Sequence, residues 1–314
     1  MLFLEEQIME VQAMHVITGA TGRTGSAVTN YLLDHRQPIR VIGRNLERLM
    51  PFVLKGAEPI VSEPTNVKRL IKAFSEAEAV YVMLQPNYII TSNDFLSYQK
   101  RVISTIVSAL EQAEVKNVVS LSSWGADKEK GTGPVTGLHL LEQGLNQIEQ
   151  LNVLHLRAGY FMENLLSQIK NILLHDVARG PFLPDVQFPM ISTRDIGRIA
   201  GEAMIKRNYQ GQQIRELHGS CDLSMNEAVE LIGKAIDKPK LSYIQTTEEE
   251  ARRELRMHGY SEHIIDLVLE TTRALNTKHI RMLEQRSFEN TTPTSFETFL
   301  NEVFIPQYEK EAVI

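Results

Sequence analysis

Val16-Ile17-Thr18-Gly19-Ala20-Thr21-Gly22-Arg23-Thr24-Gly25 is the stretch whose reading decides the fold. An apolar run from Met14 to Ile17 enters three glycines spaced three apart. An amphipathic segment follows, with Val28, Tyr31 and Leu32 on one face at helical spacing. The pattern predicts strand, glycine turn, helix. Such a turn leaves the backbone N–H groups of the helix N-terminus uncovered, and that end carries partial positive charge. A Cβ there would keep a pyrophosphate off the backbone, or the helix off the strand. The spacing is G-x-x-G-x-x-G, not G-x-G-x-x-G, but it stands between strand and helix as a phosphate-binding turn must. Gly19, Thr21, Gly22, Arg23, Thr24 and Gly25 are the expected contacts to a dinucleotide.

Downstream the alternation repeats. Pro38–Gly43 reads as a second strand ending in Arg44-Asn45, and Ala57–Val61 as a third. Val67–Phe74 is helical by period. Ala79–Leu84 is a continuous apolar run, as a strand buried on both faces must be, and Gln85-Pro86-Asn87 stops it. Asp94–Ala113 is a long amphipathic helix, Val115–Leu121 a strand closing on Ser122-Ser123-Trp124-Gly125, Leu138–Glu149 a helix and Val153–Arg157 a strand. This rhythm means an α/β fold built on a doubly wound parallel sheet, whose ligand lies outside the C-terminal strand ends. Leu84, Gln85, Ser122 and Tyr160 therefore join the glycine turn and Arg44 as candidate site residues.

Beyond residue 160 the rhythm breaks. Phe161–Leu174 reads as helix, Gly180–Pro184 as loop, Asp195 as the cap of a helix running to Ile205, and Gln213–Leu217 as a strand. Ser224 with Glu227, and Thr247 with Glu250, are capping boxes. Leu241–Ile244 reads as a strand, and Ser261–Leu275 and Ser295–Val303 as helices. Residues 13–160 are thus expected to form the nucleotide-binding domain, with segments near 190–220 returning to it. Residues 161–314 form a smaller, mostly helical lobe, and 1–12 an N-terminal extension.

The 314 residues, 43% apolar and 23% charged, are ordinary for a globular enzyme or binding protein. A net charge of −6 without a basic run argues against direct nucleic-acid binding. No apolar stretch approaches the ~20 residues of a membrane span. A single cysteine, Cys221, excludes an intrachain disulfide and fits a reducing, cytoplasmic setting.

Four segments together resemble the NmrA-like family, an atypical branch of the short-chain dehydrogenase/reductase superfamily. They are Thr18–Gly25, Val115–Asp127, Leu156–Leu165 and Ser192–Ile196, in the family's order over nearly the whole chain. The resemblance implies a Rossmann-type, NAD(P)-binding fold. It also implies either NAD(P)H-dependent reduction of quinones, azo dyes or benzylic ethers, or redox sensing through a regulatory protein partner. Monomers are common in this branch, and the helix at Asp94–Ala113 forms homodimer interfaces elsewhere in the superfamily.

NAD enzymes place an acid at the end of the second strand, where this chain has Gly43-Arg44-Asn45 with Arg40 nearby. An arginine clamps a 2′-phosphate that an acid would repel, so NADP(H) is expected over NAD(H). Superfamily reductases use a tyrosine four residues before a lysine. In the register fixed by Arg157, Val135 stands for that tyrosine and His139 for that lysine. Ser122 and His139 are then the candidate catalytic residues, with Ser123 and Glu142 beside them, and His139 is also a candidate cofactor contact. His139-x-x-Glu142 lacks a second pair, so no metal is assigned. Tyr160 and Phe161 can wall a nicotinamide; Met162, Met190, Met257 and Phe182 are either pocket or core. A reductase of a planar apolar electrophile and a non-enzymatic redox sensor both remain open at this point.

Overall fold

The structure is a computed structural model that describes residues 14–84 and 90–313. The first half alternates β1 (Met14–Ile17), α1 (Arg23–Asp34), β2 (Ile39–Gly43), α2 (Leu46–Val53), β3 (Glu58–Val61), α3 (Val67–Phe74), β4 (Ala77–Val82), α4 (Phe95–Gln112), β5 (Asn117–Ser123), α5 (Thr136–Asn146) and β6 (Asn152–Ala158). The second half runs β7 (Tyr160–Phe161), α6 (Ile169–His175), β8 (Val177–Gly180), β9 (Phe188–Ile191), α7 (Thr193–Lys206), β10 (Gln212–Leu217), β11 (Cys221–Leu223), α8 (Met225–Ala235), β12 (Ser242–Gln245), α9 (Glu248–Met257), α10 (Glu262–Asn276), α11 (Phe296–Phe299) and α12 (Ile305–Ala312).

Seven strands form one sheet in the order β10-β6-β5-β4-β1-β2-β3, every pair parallel. This is the doubly wound sheet the sequence predicts. Successive strand residues feed opposite cores: Ile17, Val119 and Leu154 pack toward α1 and α7, whereas Val16, Val118 and Val153 pack toward α3, α4 and α5. Each such buried aliphatic side chain contributes ~1.5–3 kcal/mol. The order reverses between β1 and β4, so their C-terminal ends part and leave a crevice. β10 pairs with β6 from Gln212↔Val153 to Leu217↔Ala158, returning the chain to the sheet late in the sequence.

The remainder has its own core, in which Met162, Phe188, Ile232, Phe296, Phe299 and Phe304 are buried. It holds two small sheets besides its helices, β11-β9-β7 and β12-β8. These strands span two to four residues each, too few to show a period in sequence. Two local readings change. Phe161–Leu174 splits into a 3₁₀ segment, Met162–Gln168, and α6. Ser192, not Asp195, caps α7; Asp195 instead accepts from Thr294 N at 2.9 Å and Thr294 Oγ1 at 2.8 Å, tying α7 to the C-terminal segment. Among the described residues, no helix is long and apolar enough to cross a membrane.

Candidate functional site

Thr18 joins β1 to β4 where the crevice opens. Its Oγ1 donates to Tyr81 O at 3.0 Å and accepts from Met83 N at 3.2 Å. The three glycines then divide into two kinds. Gly19 has φ +63°, and a Cβ on it would lie 2.7 Å from Met83 Sδ. A Cβ on Gly25 would lie 2.2 Å from the Gly19 carbonyl oxygen, so α1 reaches β1 only without one. Gly22 sits at φ −85°, open to any residue, and its nearest obstacle is Gly19 O at 3.3 Å. It begins α1 with no side-chain cap. Among the described residues the first-turn N–H groups of α1 have no side-chain acceptor, at a helix end that favours an anion.

Beyond Gly22 lies a cavity of about 520 Å³ between the strand ends and the second lobe. Gly22, Arg23, Thr24, Met83 and Leu84 border one side, Ser122, Val135 and Leu138 another. Its floor is aromatic. Tyr160 stacks on Phe188 with centroids 5.6 Å apart, and meets Phe182 edge-on at 5.9 Å. Trp124 meets Phe188 edge-on at 6.1 Å. Burial pushes the Tyr160 phenol well above its ordinary range, so it stays protonated. Among the described residues Arg23 is the one charged residue in the wall, and its Nη1 donates to Asn164 Oδ1 at 3.3 Å, bridging the glycine turn to the second lobe. A larger groove of about 690 Å³ lies along α7, away from the glycine turn.

Behind the wall, Glu142 takes three hydrogen bonds: from Ser122 Oγ at 2.5 Å, from Arg157 Nε at 3.0 Å and from Arg157 Nη2 at 2.7 Å. All three residues are buried. Burial opposes the charge on Arg157, but the Glu142 carboxylate more than offsets this and holds its pKa above the ordinary value. His139 pairs through Nδ1 with Ala126 O at 2.9 Å and does not border the cavity. His139 and Glu142 therefore face different partners, whereas Val135 does reach the wall.

At the end of β2, Arg44 is exposed and precedes Asn45, the cap of α2. Arg40 serves the fold: it pairs with Glu58 at 3.0 Å and donates to Ala73 O at 2.6 Å. The residue that sequence reasoning missed is Arg48. Its Nη2 donates to Thr21 O at 3.3 Å, which sets a second guanidinium beside the glycine turn. The signal was present, because Arg48 follows Arg44 by four residues, across the cap of α2.

The cavity thus gathers Gly22, Arg23, Thr24, Leu84, Ser122 and Tyr160 of the residues singled out in sequence. Gly19, Thr21, Gly25 and Arg44 are not in its wall, and Gly19 and Gly25 are closed in by protein atoms. Gln85 falls outside the described residues. Of the four residues placed between pocket and core, Phe182 lines the cavity, Met162 and Met190 are fully buried in the second core, and Met257 is exposed.

No curated protein matches the sequence. Solved structures do. An NADPH-dependent quinone oxidoreductase from Escherichia coli, complexed with NADPH, superposes with a TM-score of 0.77 at 18% identity, covering 93% of this chain and 100% of that one. A Citrobacter sp. triphenylmethane reductase complexed with NADP(H) gives 0.70 at 15% identity, over 95% and 99% of the two chains. NmrA, a negative transcriptional regulator in complex with NADP, gives 0.69 at 15% identity, over 96% and 98%; it is also known in complex with NAD. At these identities the likeness establishes the fold. The NmrA-like family matches residues 13–300, and the chain belongs to that family.

Proposed function

We propose that the chain binds NADP(H) across the crevice and reduces a planar, apolar electrophile of the quinone type. One observation carries the reading: a single cavity joins an uncapped helix N-terminus to a floor of packed aromatic rings. The fit to a dinucleotide rests on Gly22, where a Cβ would meet Gly19 O at 3.3 Å and, among the described residues, nothing else within 4 Å. The N–H groups of the first turn of α1 take the pyrophosphate, and Arg44 and Arg48 take the 2′-phosphate. NADPH supplies a hydride when bound, and the cofactor carries the difficult step. The residues supply the rest. Tyr160, Phe182 and Trp124 present a flat apolar surface and exclude water; Val135 leaves the tyrosine position without a proton donor. Reduction of a quinone needs no more, since protons come from solvent. By name the solved neighbours reduce a quinone and a triphenylmethane compound, ring-bearing apolar substrates in keeping with this floor.

The second reading is a redox sensor that acts through a protein partner. The aliphatic Val135, and the withdrawal of His139 to Ala126 O, favour it. Purified protein with NADPH and a panel of quinones decides between the two, followed by loss of nicotinamide absorbance. Turnover on a quinone is the expected result. Tight NADP⁺ binding without turnover on any acceptor would sink the reductase reading and leave the sensor.

A further inference from the structure

One face of the sheet breaks the apolar pattern beside the cavity. On the side of β5 and β6 that carries Val118 and Val153 in its lower part, the upper positions are Ser120 and Ser122, paired in register with His155 and Arg157. Burying such groups is costly unless they are used. Arg157 donates to both carboxylate oxygens of Glu142. Both Glu142 oxygens are thereby engaged as acceptors, and Ser122 Oγ donates to Oε1. The 2.5 Å contact between Ser122 Oγ and Glu142 Oε1 therefore uses the only proton the serine has. A free serine hydroxyl rotates and donates or accepts as its partner requires. This one retains acceptor capacity alone.

We propose that Glu142, clamped by Arg157, fixes Ser122 as an obligate hydrogen-bond acceptor in the cavity wall. The site then selects planar apolar ligands that carry an N–H or O–H donor on the ring, such as amino- or hydroxy-substituted quinones, over quinones that offer only carbonyl oxygens. Ser122 touches the ligand; Glu142 and Arg157 are positioning residues. The inference rests on the reading of the cavity as an acceptor site and names the class of acceptor.

Trp124 is the single tryptophan and borders the cavity, so its fluorescence reports ligand binding without turnover. With NADP⁺ saturating, the protein is titrated with a naphthoquinone bearing an amino group beside one carbonyl, and with its methyl isostere. The expected result is an amino compound bound about fivefold more tightly, the effect of one neutral hydrogen bond. Ser122→Ala brings the two to parity. The paired replacement Glu142→Leu with Arg157→Met frees the hydroxyl to rotate, so the methyl compound gains affinity and the preference shrinks. Equal affinities in the wild type, or a preference that survives Ser122→Ala, overturn the proposal. So does a paired variant that keeps the full preference. Should that variant fail to fold, the Ser122→Ala titration still decides, because the direction of the wild-type preference shows which partner donates. NADPH oxidation is followed separately. Donor-selective binding without oxidation overturns the reductase reading and leaves the acceptor role of Ser122 standing.

Discussion

Gly22→Ala and Gly25→Ala, compared side by side, separate a glycine kept for a ligand from one kept for the fold. At Gly22 the backbone already suits any residue, and a methyl group would meet only Gly19 O at 3.3 Å. Alanine restricts the unfolded chain, worth ~0.4–1 kcal/mol of stability, and loses a few tenths of a kcal/mol as a helix-start residue. The net change is within ~0.5 kcal/mol of zero. At Gly25 the methyl group would lie 2.2 Å from the oxygen and 2.7 Å from the carbon of the Gly19 carbonyl, both backbone atoms that no rotamer can move. Helix propensity returns ~1 kcal/mol, but separating α1 from β1 costs more, leaving a net loss of ~1–3 kcal/mol. At roughly 2 °C per kcal/mol for a chain of this length, Gly25→Ala lowers the melting temperature by a few degrees and Gly22→Ala leaves it unchanged. Thermal melts with and without NADP⁺ complete the experiment. At a hundredfold excess over Kd the wild type gains ~2.7 kcal/mol from ligand. Gly22→Ala loses most of that gain, because its methyl group occupies the space over the α1 N–H groups. A Gly22→Ala protein that melts like wild type and keeps the full NADP⁺ shift refutes the placement of the pyrophosphate.

Three further outcomes are expected. Arg44→Ala combined with Arg48→Ala weakens NADP⁺ binding by about ten- to a hundredfold, the value of charge-assisted hydrogen bonds to phosphate, and leaves NAD⁺ binding within about twofold; calorimetric titration with both cofactors measures this. Arg157→Met alone strands the Glu142 carboxylate in the interior and costs ~3–5 kcal/mol in urea unfolding, whereas Arg157→Met with Glu142→Leu recovers most of the loss. His15, His155 and His218 all have pKa values lowered below 6.5, chiefly by burial. The unfolded chain then binds more protons than the folded one below that value. Stability is fully present above it and falls as pH drops through it, by up to ~1.4 kcal/mol per pH unit for each histidine. Urea midpoints between about pH 7.5 and pH 5.5 test the sign, and His155→Gln flattens the curve.

The sheet was legible because parallel strands buried on both faces read as apolar runs, and Met14–Ile17 and Ala79–Val82 show this plainly. The capping boxes at Ser224 and Thr247 form as their spacing requires, since each is closed within one helical turn. What escaped depends on contacts between distant segments. The cavity floor assembles Trp124, Tyr160 and Phe182 from three places in the chain, backed by Phe188, and no local pattern distinguishes those rings from core. Arg40 and Arg48 flank the same strand, one at its start and one beyond its end, with the same charge. Only the tertiary structure gives Arg40 to Glu58 and the end of α3, and Arg48 to the glycine turn. The Ser122–Glu142–Arg157 network was legible only in part: the sequence set Glu142 beside Ser122, but Arg157, on another strand, was not joined to them until the chain was folded.

The two ends of the cavity answer differently to mutation over evolutionary time. On the proposed reading the phosphate end holds the pyrophosphate through main-chain N–H groups, which every residue but proline carries, so it resists sequence drift provided no methyl group appears at Gly19, Gly22 or Gly25. The aromatic end is made wholly of side chains, each replaceable without disturbing strand order. Selection can therefore retune the acceptor while the grip on a dinucleotide stays constant.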